Sequence, residues 1–341
     1  MLRIALVFSL LALGSARAGD GKVRVVATVP NLASICRAVG GDRVEVSAIC
    51  AWDQDAHAVD PRPSYVVKLR DADLLLVTGL DLEVGWVPPL TEGSRNARVL
   101  RGGPGYVDCS QGVDVLEVPA GPVTRAEGDV HPFGNPHYLT DPGNARVVAG
   151  TIAGALARAS PAGAGAFEAG RKAFERLLDE AMFGAALVDG VGGAQLWRLH
   201  AEDRLDAFLQ EQGPELGKAR GEGWAGRMRG RRGLPIVTYH KDLSYFVRRF
   251  GLEVAGHVEV KPGIPPSARH LVELTETIRR REAPLLVTRP YAERRSTDLL
   301  AARTGIAVLV LPLDCGEPGG AQDYLGWMDA TVAALARLPV G

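Results

Sequence analysis

The chain has 341 residues, of which 46% are hydrophobic and 23% are charged, so it can bury a core and form about two domains. Its formal net charge of −1 excludes a bulk electrostatic attraction to nucleic acid or to anionic lipid, and no nucleic-acid partner is predicted. The 41 glycines and 22 prolines are spread along the chain, which favours a folded globular protein over a low-complexity one.

The first 18 residues have the pattern of a secretory signal peptide. Arg3 gives a short positive region, residues 4–13 are apolar, and residues 16–18 read Ala-Arg-Ala, a cleavage signal. The apolar run is shorter than the roughly 20 residues that a membrane-spanning helix requires. We therefore expect cleavage near Ala18 and export of residues 19–341 to the periplasm, with an uncleaved N-terminal anchor as the alternative.

Strand and helix patterns alternate in the first part of the chain. β-branched and apolar runs predict buried strands at residues 23–29, 44–49 and 72–78, and helices are predicted at residues 31–39 and 64–71. This order predicts a parallel sheet with helices on both faces. Residues 102–136, rich in Gly, Pro and Asp, are predicted to form a long loop.

Helical patterns fill the middle of the chain. An Ala-rich segment predicts a helix at residues 142–159. The next helix is long, and its apolar stripe is predicted to consist of Phe167, Phe174, Leu177, Leu178 and Met182. A further helix is predicted at residues 194–212, and the Gly- and Arg-rich residues 213–233 are expected to form a surface loop.

A second α/β pattern completes the chain. It predicts strands at residues 235–239, 252–258, 284–288 and 306–311, and helices at residues 266–281 and 324–338. The predicted fold class is therefore α/β, with two lobes that each contain a parallel sheet with flanking helices, and a long helix between them. The predicted divisions are an N-terminal lobe at 19–141, a helical linker region at 142–188 and a C-terminal lobe at 189–341.

Four residues with metal-binding side chains lie at the ends of predicted elements. His57, His240 and Asp314 follow strands, and His137 directly precedes the helix that begins at residue 142. Ligands of open α/β sheets bind outside the carboxyl ends of the strands. Each residue alone is more typical of a hydrogen-bonding, capping or turn position, but together three imidazoles and a carboxylate suit Zn²⁺ and can also bind Mn²⁺. The joint pattern predicts a metal site.

The remaining histidines are weaker candidates. His131, six residues before His137, could be an accessory or alternate ligand, although a role in ordering its loop is favoured. His200, His257 and His270 have no partner at metal-ligand spacing and are predicted to be structural. Asp60, Asp141 and Asp242 are carboxylates near in sequence to the predicted ligands and could orient their imidazoles, but the sequence does not assign them.

The cysteines are too far apart in sequence for a Cys-type zinc site; they are Cys36, Cys50, Cys109 and Cys315. An exported protein meets an oxidising environment, so zero, one or two disulfides are expected, and their pairing stays open.

The sequence favours a binding protein over an enzyme. A catalytic zinc site keeps an open position for water, whereas four protein ligands close the coordination shell. The chain contains no HExxH, no GxSxG elbow and no GxGxxG after a strand. The alternatives are an exported zinc hydrolase and a binding protein for an iron chelate or a corrinoid.

Almost the whole mature chain resembles the metal-binding solute-binding proteins of ABC importers for zinc and manganese. The resemblance rests on three motifs, DPHxYxPxPSD, DPHxWLDP and YHxxxxYFxxxxGL. The matching residues are His57, Pro61, Pro63 and Ser64 in the first, His137, Asp141 and Pro142 in the second, and Tyr239, His240, Tyr245, Phe246, Gly251 and Leu252 in the third. Ala56, Asn135 and Tyr138 depart from these patterns.

The resemblance implies two lobes joined by a rigid helix, with one metal ion in the cleft. His57 and His137 would bind it from the first lobe, and His240 and Asp314 from the second. A His at the third position resembles the zinc members, although the His-rich loop that many of them carry is reduced here to His131. The implied function is capture of a divalent transition metal by a monomer that delivers it to an ABC permease in the inner membrane, with zinc as the favoured ion and a manganese carrier on the same fold as the alternative. A metallochaperone is an additional candidate partner.

Overall fold

A computed structural model describes residues 21–121, 131–211, 213–259 and 264–337. The predicted signal peptide and its cleavage position lie outside the described residues. The strands are β1 (Val23–Ala27), β2 (Val44–Ala48), β3 (Leu74–Val77), β4 (Tyr106–Asp108), β5 (Pro235–Thr238), β6 (Glu253–His257), β7 (Leu285–Thr288) and β8 (Ala307–Val310). The helices are α1 (Pro30–Gly40), α2 (Pro63–Arg70), α3 (Val87–Ser94), α4 (Pro142–Ala159), α5 (Ala164–Phe183), α6 (Ala185–Val191), α7 (Gly193–Ala201), α8 (Leu205–Glu211), α9 (Pro214–Lys218), α10 (Gly223–Met228), α11 (Ser244–Phe250), α12 (Ala268–Arg281), α13 (Arg294–Thr304) and α14 (Tyr324–Ala336).

The first half of the chain contains a parallel sheet with the strand order β2-β1-β3-β4. Its central strands β1 and β3 are apolar because helices cover both faces, and Val25 pairs with Val46 on one side and with Leu74 on the other. Strand β4 lies within the segment that was predicted to be a loop at residues 102–136. That prediction is wrong at β4, because three residues at a sheet edge are too few to show a period.

The second half contains a sheet with the corresponding order, β6-β5-β7-β8, and all of its strand pairs are parallel. In both sheets the strand order reverses between the two central strands, which opens a crevice at their carboxyl ends. The predicted α/β class, with two parallel-sheet lobes and flanking helices, is confirmed. The sheets fall within the ranges 19–141 and 189–341 predicted for the lobes, and the boundaries themselves stay predictions.

Helices α4 and α5 connect the two halves. Helix α4 has the predicted bounds, because Pro142 occupies its first turn and the Asp141 side chain accepts a hydrogen bond from the Gly143 backbone N–H at 2.8 Å. Helix α5 packs against α1, α4, α10 and α14. Gly170 permits the close approach to α1, since a Cβ there would lie 2.2 Å from the Val39 carbonyl oxygen.

The predicted apolar stripe of α5 is correct for four residues and wrong for one. Phe167, Phe174, Leu178 and Met182 are buried, whereas Leu177 is 52% exposed. Adjacent residues of an α-helix are rotated by about 100°, so Leu177 cannot share the face of Leu178. It lies beside the stripe rather than on it.

Residues 193–233 differ from the prediction. The helix expected at 194–212 is divided into α7 and α8 at Asp203, whose φ of +56° is left-handed and ends the helical path. Residues 213–233 contain α9 and α10 instead of a loop. Trp224 and Met228 lie one helical turn apart on α10 and are buried, and the Trp224 indole donates a hydrogen bond to Asp329 on α14 at 3.1 Å.

All four cysteines are buried, and their thiols are free. Of the possible disulfide arrangements, the structure therefore has the one with none. Among the helices of the described residues, none combines the length and the apolar character needed to cross a bilayer.

Candidate metal centre

Three of the predicted ligands converge at the carboxyl ends of the two sheets. Each of His57, His137 and His240 offers a ring nitrogen, and these nitrogens all lie within 4.8 Å of one another. The ring centroids are 5.2 Å apart for His57 and His137, 5.4 Å for His57 and His240, and 5.3 Å for His137 and His240. The rings meet edge-on, which directs their nitrogens towards a shared centre.

Asp55 orients His57 in the loop that follows β2. Its carboxylate oxygen accepts the backbone N–H of His57 at 2.9 Å and lies 2.7 Å from Nδ1 of the same residue. The Trp86 indole fixes the loop by donating to the Ala56 carbonyl at 2.9 Å. Burial opposes ionisation of Asp55, but the hydrogen bonds and the charge of His57 outweigh it and lower the pKa of the carboxyl. With Nδ1 held by an ionised carboxylate, Nε2 of His57 is the nitrogen available to a metal.

Glu259 has the same relation to His240 in the second lobe. His240 directly follows Tyr239 at the end of β5, and Glu259 follows the neighbouring strand β6. The backbone ladder continues past these strands, since the Glu259 N–H donates to the Tyr239 carbonyl at 2.8 Å. Nδ1 of His240 lies 3.0 Å from Oε2 of Glu259, and the His240 side chain is only 12% exposed. Its Nε2 is therefore also available to the centre.

His137 is the most buried of the three. It lies at the turn before α4, where its backbone N–H donates to the Asn135 side chain at 2.9 Å. Its Nε2 is buried and has no hydrogen-bond partner among the described residues. Burial, with the charges of His57 and His240, holds the pKa of His137 well below its usual value. The ring is therefore neutral, which is the state that binds a metal, and a bound ion would satisfy the orphaned nitrogen.

The carboxylate of Asp314 is not among the donor atoms that lie within 4.8 Å of one another. It follows β8 and is buried, and its Oδ1 accepts the backbone N–H of Asn31 at 2.9 Å. Burial raises the pKa of Asp314 to about 6, and the Asn31 hydrogen bond and the Arg289 charge oppose that rise. Its assignment as a ligand stays a prediction.

His131 lies at the edge of the centre. Its Nε2 is 3.1 Å from Nε2 of His57, and the two rings stack with their centroids 5.1 Å apart. Burial, followed by the charges of His57 and His240, lowers the pKa of His131 to about 3, and a hydrogen bond to the Leu80 backbone opposes that shift.

Sequence reasoning missed the two carboxylates that orient the histidines. Asp141 instead forms a salt bridge with Arg249 at 2.7 Å, and Asp242 forms one with the buried Arg289 at 2.6 Å. Asp55 could have been found because it lies two residues before His57. Glu259 gave no local signal, because only the pairing of β5 with β6 brings it to His240.

A cavity of about 260 Å³ borders the centre on the side of the second lobe. His57 and His240 form part of its wall, together with Tyr239, Arg289 and Tyr291. The Arg289 guanidinium is buried and also donates to the Leu311 carbonyl at 3.0 Å, so this wall is held by fixed polar contacts.

The two-lobed fold with a buried histidine centre is the architecture of a known class of metal-binding proteins. A crystal structure of ZnuA superposes with a TM-score of 0.65 over 92% of this chain and 98% of that chain, at 20% sequence identity. The profile of the family described as zinc-uptake complex component A, periplasmic, matches residues 25–182 and 226–338. The chain belongs to this family, whose members are substrate-binding proteins of ABC transporters rather than enzymes. The resemblance stated from the sequence motifs is confirmed.

Curated relatives match over shorter or longer parts of the chain. The metal ABC transporter substrate-binding lipoprotein FimA of Streptococcus parasanguinis is 36% identical over 115 residues, which cover 33% of this chain and 37% of FimA. The manganese ABC transporter substrate-binding lipoprotein PsaA of Streptococcus mitis is 24% identical over 301 residues, which cover 87% of this chain and 82% of PsaA. The chain spans less than half of the length of several curated relatives that it matches, between 37% and 49%.

Proposed function

We propose that this protein captures a divalent transition metal ion, most favourably zinc, and delivers it to an ABC permease. The observation that carries the proposal is the convergence of His57, His137 and His240, with their donor nitrogens within 4.8 Å of one another. Carboxylates hold Nδ1 of His57 and of His240, which is how proteins orient metal-binding imidazoles. The buried Nε2 of His137 has no hydrogen-bond partner within the described ranges and would be satisfied by the ion.

The donor set favours zinc over manganese. Neutral imidazole nitrogens suit Zn²⁺, whereas Mn²⁺ prefers carboxylate, carbonyl and water oxygens. The description of the family names zinc, and the PsaA relative is named for manganese, so manganese is the alternative ion on the same fold. Asp314, if it is the fourth ligand as the sequence predicts, adds one oxygen to three nitrogens and keeps the preference for zinc.

The two remaining alternatives fit the centre less well. A binding site for an iron chelate or corrinoid needs a wide, aromatic cleft and has no use for clustered imidazoles. An exported zinc hydrolase needs an open coordination position with a water that reaches a substrate. Membership of a family of substrate-binding proteins supports a carrier over a hydrolase.

We further propose that the protein acts as a monomer in the periplasm, after cleavage near Ala18, and that it receives zinc directly or from a metallochaperone. Contacts between the halves of the chain lie beside the centre. Arg249 of α11 pairs with Asp141 before α4, and the Tyr245 hydroxyl donates to the Asn135 carbonyl at 2.7 Å. Release of the ion to the permease would require these contacts to change, because an ion enclosed by protein ligands dissociates slowly.

The experiment is a calorimetric titration of the chelator-stripped protein with zinc and, separately, with manganese. We expect one tight zinc site per chain that manganese competes for poorly. His57→Ala, His137→Ala and His240→Ala should each weaken zinc binding by at least about 100-fold, since loss of an outer-shell partner alone costs 10–100-fold.

His270→Ala is the matched control, because Nε2 of His270 bonds the His257 carbonyl and His270 lies outside the centre. Its zinc affinity should equal that of the unmodified protein. Tighter binding of manganese would move the assignment to manganese. The absence of tight binding of either ion would overturn the proposal.

A further inference from the structure

A cavity of about 560 Å³ lies between α4, α7 and α11, and none of the predicted metal ligands lines it. Its volume is within the range of sites that hold small molecules. Four of the lining residues are arginines from these three helices. They are Arg146 on α4, Arg198 on α7, and Arg248 and Arg249 on α11. The folded chain therefore gathers positive side chains that are far apart in sequence around one cavity.

Trp197 of α7 holds two of these arginines in place. The guanidinium carbon of Arg249 lies 5.2 Å from the centroid of the indole ring, and that of Arg146 lies 5.9 Å from it. The indole N–H donates to Asp179 at 2.7 Å, and the same carboxylate oxygen accepts from Arg146. A guanidinium fixed against an aromatic ring has less freedom to lose when it binds a further partner. This wall of the cavity is therefore preorganised.

The arginines keep hydrogen-bond donors that a ligand can use. Arg249 binds Asp141 through Nε at 2.7 Å and Nη2 at 2.8 Å, while its Nη1 makes no hydrogen bond among the described residues. Arg248 pairs with Asp114, whose side chain is 81% exposed, and such surface pairs contribute little to stability. The side chain of Arg198 is exposed and has no ion pair within the part of the chain that the structure describes.

We propose that this cavity is a second binding site, for a small anion that carries a phosphate group, with Arg198, Arg248 and Nη1 of Arg249 as its donors. Guanidinium groups match the oxygens of a phosphate and can bind them in pairs. A phosphate monoester has three terminal oxygens for guanidinium groups from different helices, whereas a carboxylate has two. Gly143 in the first turn of α4 also lines the cavity, and the dipole of that helix favours an anion there.

The helix that carries Arg198 lies in a segment of its own. Residues 183–225 fall between the two ranges that the family profile matches, and they supply Trp197, Arg198 and His200 to the cavity. Burial, followed by the charges of Arg249 and Arg232, lowers the pKa of His200 to about 4, so its ring is neutral in these cationic surroundings. The proposed site is separate from the histidine centre and does not rest on the proposed metal function.

The test is a calorimetric titration of the chelator-stripped protein with glycerol 3-phosphate and, separately, with inorganic phosphate. A low-salt buffer limits the screening of exposed charges. We expect saturable binding of glycerol 3-phosphate at one site per chain. Arg198→Ala should weaken this binding by at least about tenfold, because it removes charge-assisted hydrogen bonds. An unchanged unfolding midpoint of the variant shows that the fold is retained.

Two comparison variants separate a built site from general attraction. Arg269→Ala removes the same charge from an exposed position of α12 and should leave the affinity unchanged. Asp114→Asn releases Arg248 from its partner and should tighten binding by up to about fivefold. Equal weakening by Arg198→Ala and Arg269→Ala overturns the inference, because it shows attraction by net charge alone.

Vesicles that contain phosphatidic acid, whose head group is a phosphate monoester, distinguish a lipid source of the phosphate from a soluble one. Cosedimentation of the protein with these vesicles that Arg198→Ala abolishes supports the site and assigns it to a lipid head group. Binding of glycerol 3-phosphate without cosedimentation supports the site and assigns it to a soluble phosphate. A protein that binds neither phosphate compound nor the vesicles overturns the inference, whatever its affinity for zinc.

Discussion

Asp55 holds the imidazole of His57 through Nδ1 at 2.7 Å and its backbone N–H at 2.9 Å, so a single carboxylate oxygen fixes both the ring and the loop that carries it. The carboxylate is partly exposed, with 41% of its side-chain surface accessible, whereas the ring is 11% exposed. The orienting group therefore lies on the outer side of the centre, and Nε2, the proposed donor to the metal ion, is the ring nitrogen opposite to it.

Replacement of Asp55 is expected to weaken zinc binding without unfolding the protein. Asp55→Ala removes the acceptor that sets the tautomer of His57, and such outer-shell changes lower metal affinity by 10–100-fold. Asp55→Asn keeps an acceptor but loses the charge, so its effect should be smaller. Competition with a zinc-binding dye measures the zinc affinity of both variants. Asp53→Ala, an exposed position in the same loop, is the control, and equal affinities of Asp55→Ala and Asp53→Ala would contradict the prediction.

The buried carboxyl of Asp314 predicts a dependence of stability on pH in the metal-free protein. Burial raises its pKa from the ordinary 3.8 to about 6. Between these values the unfolded chain is ionised while the folded protein keeps the proton, so the contribution of Asp314 to stability falls as pH rises from about 4 to about 6. Above pH 6 Asp314 is ionised in the folded protein as well. The free-energy cost of its buried charge is then about 3 kcal/mol, on the order-of-magnitude scale of 1.36 kcal/mol per pKa unit.

Asp314→Asn removes this penalty and keeps the acceptor for Asn31. The free energy of unfolding of the metal-free variant at pH 7.5 should exceed that of the unmodified protein by up to about 3 kcal/mol, and this difference should be smaller at pH 4.5. Urea denaturation at pH 4.5 and 7.5 measures both effects. If the variant is less stable than the unmodified protein at pH 7.5, the ionised Asp314 carboxylate stabilises the folded protein, which would contradict the prediction.

Helix α5 offers a matched pair of adjacent leucines. Leu178 is fully buried and Leu177 is 52% exposed. Leu178→Ala should lower the free energy of unfolding by about 2–5 kcal/mol, because it removes buried methyl groups and leaves a cavity. Leu177→Ala should change it by no more than about 0.5 kcal/mol. Chemical denaturation of the two variants tests the packing of α5, and equal losses would contradict it.

The elements that could be predicted are those whose apolar sequence pattern matches their burial in the structure. Apolar runs marked the central strands β1, β3, β5 and β7, because a parallel strand covered on both faces must be apolar throughout. Strand β4 and helix α13 were not predicted. The first is too short to show a period, and the apolar residues of the second, Leu299 and Leu300, lie among charged ones.

The short helices α9 and α10 could not be predicted for a different reason. They lie in residues 213–233, a segment in which Gly and Arg dominate, and that composition is typical of a surface loop. The segment that contains them is bound by side chains of α8 and α14, outside it. Asp206 pairs with Arg220 and Arg229, and Asp329 accepts from Trp224. Such pairs stabilise a segment only once the rest of the fold has brought them together.

The sequence by itself determined the class of fold and marked His57, His137 and His240 as candidate ligands, since strand patterns and side-chain types are local properties and ligand sites lie at the ends of strands. The tertiary structure decided which other residues surround the centre. It brought Glu259 to His240 through strand pairing, placed His131 against His57, and directed Asp314 to the backbone of Asn31. These relations join residues 19 to 283 positions apart, and no local pattern encodes a contact that exists only after the chain has folded.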